Sequence, residues 1–179
     1  MAEKKYTPMM QHYLKMKEEN PDSILFYRLG DFYEMFFEDA KLVSQELDLV
    51  LTGRSAGVEE KVPMCGIPFH AANSYIQRLV KKGYKVAICE QLEDPSSAKG
   101  LVDRGIIKII TPGTYMDATM DAKSTNYMAS CDVSSFEITV IYCELSTGEL
   151  KYQTLQRSLV ALQKALLEQN VSELVCPMT

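Results

Sequence analysis

Ile24-Leu25-Phe26-Tyr27-Arg28-Leu29-Gly30-Asp31-Phe32-Tyr33-Glu34-Met35-Phe36 places two apolar, aromatic-rich runs on either side of Gly-Asp. Residues of this type at this length favour strands, and Gly-Asp between them predicts a β-hairpin. A competing pattern starts a helix at Asp31, with Asp31 and Glu34 as a capping box. On the hairpin reading, side chains two apart share a face, so Phe32, Glu34 and Phe36 line one side while Tyr33 and Met35 line the other. A ring and a carboxylate then project together near a turn tip. If that tip is exposed, the pair joins a wedge to a hydrogen-bonding group, which is how minor-groove proteins unstack a base step. If it is packed, Phe32 belongs to the core and Glu34 merely caps.

Upstream, Thr7-Pro8 opens a helix over 8–19, because Thr is a good N-cap and Pro suits the first helical position. Asn20-Pro21-Asp22 ends it. Downstream, Ala40, Val43 and Leu47 form the stripe of a helix over 38–47. A short strand is expected at 48–52, then a mobile polar loop at 53–61. Val62 to His70 is apolar, but its prolines and glycines point to a fixed turn instead of a regular element. A helix over 71–82 stops at Gly83, a strand covers 84–91, and 106–111 is a strand terminated by Pro112-Gly113. Residues 114–125 are polar and read as a linker. Strands at 127–132, 136–145 and 149–155, a helix at 158–169 and a strand at 173–176 give a β-β-β-α-β series. The chain stops directly after that apolar strand, as expected of a piece of a longer protein.

The 179 residues are 46% hydrophobic and 24% charged, the proportions of a globular protein. No stretch has the length of a membrane helix and no apolar signal region follows Met1, so the expected location is the cytoplasm. Five cysteines without a C-x-x-C pair and two isolated histidines support neither a disulfide framework nor a zinc cluster. The net charge is −5. Residues 1–112 carry fifteen Lys and Arg against sixteen Asp and Glu, and 113–179 carry four against eight, so the acidity is mostly C-terminal. Neither part is the basic body of a nonspecific DNA coat.

Gly100 and Gly105 stand at P-loop distance but are followed by Ile106-Ile107, so no ATPase motif is present. Glu90, Glu93 and Asp94 could contribute to a Mg²⁺ site, although charged clusters are mostly solvated edges. Asp132, Glu137 and Glu144 near strand positions motivate a metal-dependent nuclease as an alternative. A protein-interaction module is a third reading.

Thr7-Pro8-Met9-Met10-Gln11, Phe26 through Glu34, Met64-Cys65-Gly66-Ile67-Pro68-Phe69-His70, Cys89-Glu90-Gln91 and Thr111-Pro112-Gly113-Thr114 occur together and in this order, and in this the chain resembles the bacterial MutS family of DNA mismatch-recognition proteins. The resemblance implies an α/β (α+β) architecture. Residues 1–113 would form a mixed-sheet mismatch-binding domain with flanking helices, and 114–125 a linker. Residues 126–179 would begin a ribonuclease-H-like connector domain that is cut short.

It also implies that Phe32 stacks on a mispaired or bulged base from the minor groove and that Glu34 hydrogen-bonds it, in a nonenzymatic sensor without catalytic residues or metal ligands. The implied partners are mismatched or bulged double-stranded DNA, a second copy in the full-length protein and a MutL-type repair protein, with no membrane and with nucleoid association. ATP and Mg would belong to the full-length protein, and no cofactor to this part. A wedge reads deformability, because unstacking costs less where pairing is already weak. A carboxylate beside phosphates penalises ordinary duplex, and protonated Glu34 could donate to a base nitrogen.

Further candidate DNA contacts are Arg54 and Lys99 in loops, toward phosphates. Met64, Gly66 and Pro68 either shape a surface against the groove or seal the domain core. Such a fragment, near neutral in its first 112 residues, is expected to bind DNA weakly on its own.

Overall fold

The computed structural model describes residues 6–93, 102–115 and 125–176. The chain forms two compact units, Met1–Ile110 and Thr111–Thr179.

In the first unit, helix α1 (Pro8–Glu19) begins as its sequence dictates, with Thr7 accepting the Met10 N–H at 3.4 Å and Pro8 in the first turn. Strand β1 (Ser23–Leu29) turns into β2 (Phe32–Phe36), so the hairpin forms and the helix from Asp31 does not. Helix α2 (Phe37–Leu47) follows, then β3 (Thr52–Arg54) and β4 (Val62–Pro68). One 3₁₀ turn (Phe69–Ala71) leads into α3 (Ala72–Lys81), β5 (Lys85–Gln91) and β6 (Arg104–Ile110). The six strands make one mixed sheet in the order β3-β4-β2-β1-β5-β6. Only β1 and β5 run parallel; the other pairs are antiparallel.

Alternation along these strands feeds two cores. Leu25, Tyr27, Phe36, Ala87 and Cys89 point to the face where α1 inserts Met10 and Tyr13. Cys65 points the other way, and its Sγ–H donates to the Ala40 carbonyl of α2 at 3.4 Å. Asp39, at the start of α2, is buried and accepts the Leu25 N–H at 2.9 Å, Lys17 Nζ at 2.9 Å and the Tyr13 hydroxyl at 3.3 Å. One carboxylate thus ties α1, β1 and α2 together.

Two local expectations are corrected. Val62–Pro68 is a strand despite its prolines, because each proline has a paired neighbour on one side only. Pro63 lies beside β3 but outside the β2 register, and Pro68 pairs with Phe32 but lies outside the β3 register. A ring nitrogen that donates nothing is tolerated at such a half-open position. Residues 53–61 are not wholly a loop either, since the strand expected at 48–52 falls instead at Thr52–Arg54. Beyond it Ala56 is fully buried, and its carbonyl accepts the Thr7 N–H at 2.9 Å.

The second unit is a meander of β7 (Tyr127–Val133), β8 (Glu137–Glu144) and β9 (Glu149–Gln156), then α4 (Leu159–Glu168) and β10 (Val171–Val175). Strand β10 joins the far edge parallel to β7, giving the order β10-β7-β8-β9. Tyr127, Ala129, Cys131, Ile138, Val140 and Tyr142 form its core, with Leu162 and Leu166 of α4 packed against them. Among the described residues no helix is long and apolar enough to cross a membrane.

Candidate nucleic-acid interface

Leu29 pairs with Phe32, which leaves Gly30 and Asp31 as a two-residue turn. Gly30 adopts φ +57°, a conformation that side-chain-bearing residues rarely take and that matches the turn to the twist of its strands. Phe32 is therefore the first residue beyond the tip, and it is 47% exposed. Phe36, on the same face, is buried under α1, its ring edge-on to Tyr13 with centroids 4.9 Å apart. The helix covers only that end of the face. Glu34 lies between the two, partly covered, and Phe32 stands clear.

The neighbouring strand shapes this pair. Gly66 is opposite Glu34 and Pro68 is opposite Phe32. A Cβ placed on Gly66 would stand 3.6 Å from Glu34 Cγ, 3.9 Å from Phe32 Cδ1 and 3.4 Å from the Tyr33 carbonyl oxygen. The missing side chain gives the ring and the carboxylate a flat flank. Met64 lies elsewhere, opposite Phe36 and packed on the α1 core. Arg54, from β3, forms an ion pair with Glu34. Lys99 falls outside the described residues.

The other face of the hairpin is braced by contacts that the sequence did not indicate. The Arg28 guanidinium lies over the Phe69 ring, 3.6 Å from its centroid, and its Nη1 is 3.5 Å from Glu90 Oε1. Arg28 Nε also donates to the Gly30 carbonyl, and the Tyr33 hydroxyl donates to Glu90. Burial first, and then that hydrogen bond, push the Tyr33 phenol up to about 12, so it remains a donor. The Phe69 N–H closes the arrangement by donating to the Asp31 carbonyl at 2.9 Å. No local signal joins Arg28 to Phe69, because the contact spans 41 positions and exists only once β4 has paired.

Among the described residues, other charged side chains nearby are engaged as well. Arg104 is buried, donating to the Arg28 carbonyl at 2.9 Å and to the Val102 carbonyl at 2.8 Å. Glu90 is held by Arg28 and Tyr33, and Glu93 accepts the Asp103 N–H at 2.9 Å. In the second unit Glu137 and Glu144 stand at opposite ends of β8, and Glu144 is bound by Ser146 and Thr147. Glu144 is thus held away from Asp132 and Glu137, which lie toward the other end of β8, and Asp94 falls outside the described residues. Among the described residues no group of three or more His, Cys, Asp or Glu could hold a metal ion.

Fold and site together define a mixed-sheet α/β domain that presents an aromatic ring and a carboxylate beside each other at the tip of a braced hairpin. The family model described as MutS domain I matches residues 7–119. The chain belongs to this family. It is 54% identical over 177 residues to the DNA mismatch repair protein MutS of Clostridium botulinum (strain Loch Maree / Type A3), covering 93% of this chain and 19% of that protein. To the protein of the same name from Clostridium tetani (strain Massachusetts / E88) it is 58% identical over 146 residues, 81% of this chain and 17% of that protein. The chain thus spans under a fifth of the length of these curated relatives.

Proposed function

We propose that this chain is the lesion-reading part of a DNA mismatch-repair protein. Phe32 enters the minor groove as a wedge and stacks on a mispaired or bulged base, and Glu34 hydrogen-bonds that base. The observation that carries the reading is the half-exposed Phe32 ring at the tip of a two-residue turn, with Glu34 on the same face. Phe32 keeps about half of its surface in water at the turn, whereas Phe36 on the same face is buried, so the ring is free to meet a partner. Insertion between base pairs gives the ring a stacking partner.

The rigid mount matters for such a wedge. Arg28, Phe69 and the Asp31 carbonyl fix the tip, so little ordering remains to be done on binding. Discrimination follows from the duplex, because opening a step costs a few kcal/mol when it is well paired and less at a lesion. Among the described residues the arginines nearest the tip, Arg28, Arg54 and Arg104, are already engaged, so on this reading most phosphate affinity comes from elsewhere in a longer protein. We assign residues 1–113 to mismatch binding and 126–179 to the start of a ribonuclease-H-like connector. The β-β-β-α-β order, with β10 added parallel to β7, supports the second assignment. ATP and Mg, a second copy and a MutL-type partner belong, on this reading, to the full-length protein.

Fluorescence anisotropy on a single-base-bulge duplex and its matched control tests the reading, using the full-length protein and its Phe32→Ala variant at low salt. A bulge preference that disappears in the variant supports it. A folded variant that discriminates as well as the wild type removes it.

A further inference from the structure

We propose that Arg54 is a specificity-determining residue that acts through Glu34: it occupies the carboxylate until a lesion base replaces it. The proposal rests on the reading of Glu34 given above. Three observations support it. The ion pair is built across the sheet, from β3 to β2, over the intervening β4. Gly66, opposite Glu34 on the intervening strand, leaves the Glu34 stem uncrowded, and Arg54, opposite Val62, reaches it diagonally across β4. The backbone beneath Arg54 is anchored, since β3 is paired with β4 and buried Ala56 accepts the Thr7 N–H at 2.9 Å.

The two partners are unequally covered. The Glu34 side chain is 15% exposed and that of Arg54 is 36% exposed. The guanidinium can therefore move into solvent or onto a phosphate, whereas the carboxylate needs another donor in its place. A base displaced toward Phe32 offers one on its hydrogen-bonding edge. On an intact duplex no base arrives, the pair stays closed and the carboxylate does not face the phosphates uncompensated. Arg54 thus softens the rejection of matched DNA and competes with the lesion base.

This differs in sign from a simple phosphate contact. A cation that only touches phosphate strengthens every duplex alike, and its loss lowers affinity uniformly. Loss of a cation that masks Glu34 instead weakens matched duplex more than bulged duplex. The test is a double-mutant cycle in the full-length protein with Arg54→Gln, Glu34→Ala and the double variant, reading the ratio of bulge affinity to matched affinity. The expected result is that Arg54→Gln raises the ratio about two- to fivefold, the span of a partly exposed ion pair, and that the rise vanishes in the Glu34→Ala background. A ratio that is unchanged or lower in Arg54→Gln, or a rise that persists without Glu34, overturns the proposal. If Glu34→Ala alone leaves the ratio untouched, the role of Glu34 itself is wrong and the proposal falls with it. The Phe32→Ala comparison reports on the wedge separately.

Discussion

The guanidinium carbon of Arg28 lies 3.6 Å from the centroid of the Phe69 ring, while the Phe69 N–H donates to Asp31 in the turn that Arg28 precedes. One residue of β1 and one from the 3₁₀ turn that follows β4 therefore clamp the tip that carries Phe32.

Phe69→Leu keeps the bulk but removes the aromatic face. Because Phe69 is 40% exposed, the stability loss should be small, about 0.5 to 1 kcal/mol by urea denaturation. The bulge-to-matched affinity ratio should fall, because the tip loses its brace. An unchanged ratio would show that the clamp does not position Phe32.

Gly66→Ala separates folding from recognition. The added methyl meets Glu34 Cγ and Phe32 Cδ1 at 3.6 and 3.9 Å, ordinary contact distances, and the tightest approach is 3.4 Å to a carbonyl. Thermal unfolding should shift by less than about 1 kcal/mol equivalent, within the range of mild substitutions. Gly66→Val, with two further methyl groups beside the ring, should lower bulge binding in anisotropy while the circular dichroism spectrum stays native.

Asp39→Ala tests the tie between α1, β1 and α2. It orphans the buried Leu25 N–H, removes one partner of the Tyr13 hydroxyl, which keeps its bonds to the Phe36 backbone, and leaves Lys17, 28% exposed, without its counter-ion. The expected loss is about 3 kcal/mol in chemical denaturation, from the Leu25 donor left unpaired and the lost charge pairing. A loss under about 1 kcal/mol would mean that water replaces the carboxylate at little cost.

Glu144 gives a pH test in the second unit. The Thr147 and Ser146 hydroxyls, with backbone N–H groups behind them, hold its carboxyl down to about 2 from 4.5. A folded value below the unfolded one stabilises the fold above pH 4.5, and that stabilisation is lost as pH falls toward about 2. The wild type should therefore exceed Glu144→Gln in melting temperature at neutral pH, and the gap should close across that window. A gap that stays constant down to pH 2 would contradict it.

Much of the fold was legible because its signals are local. Thr7-Pro8 starts α1, Gly30-Asp31 makes the turn, and the β-β-β-α-β series of the second unit follows from periodicity. Val62–Pro68 was misread because a proline forbids only the hydrogen bond it would have donated, and which side of a strand is open depends on its neighbours. The same holds for Ala56, whose burial depends on α1 crossing above it. At the site, Phe32 and Glu34 could be placed on one face from alternation alone. The partners that set their environment, Arg54 from β3 for Glu34 and Phe69 from the turn after β4 for the tip, are brought in by strand pairing across the sheet and leave no mark at short range.

The measurement that tests the central claim most directly is the fluorescence of 2-aminopurine placed as the single unpaired base of a bulged duplex, titrated with full-length protein carrying Phe32, Phe32→Tyr or Phe32→Ala. Binding by the Phe32 protein should quench the probe through ring stacking, Phe32→Tyr should retain the quench, and Phe32→Ala, at concentrations where anisotropy shows it bound, should lack it. The same quench in bound Phe32→Ala would show that another group meets the base and that the exposed ring at the hairpin tip is not the wedge.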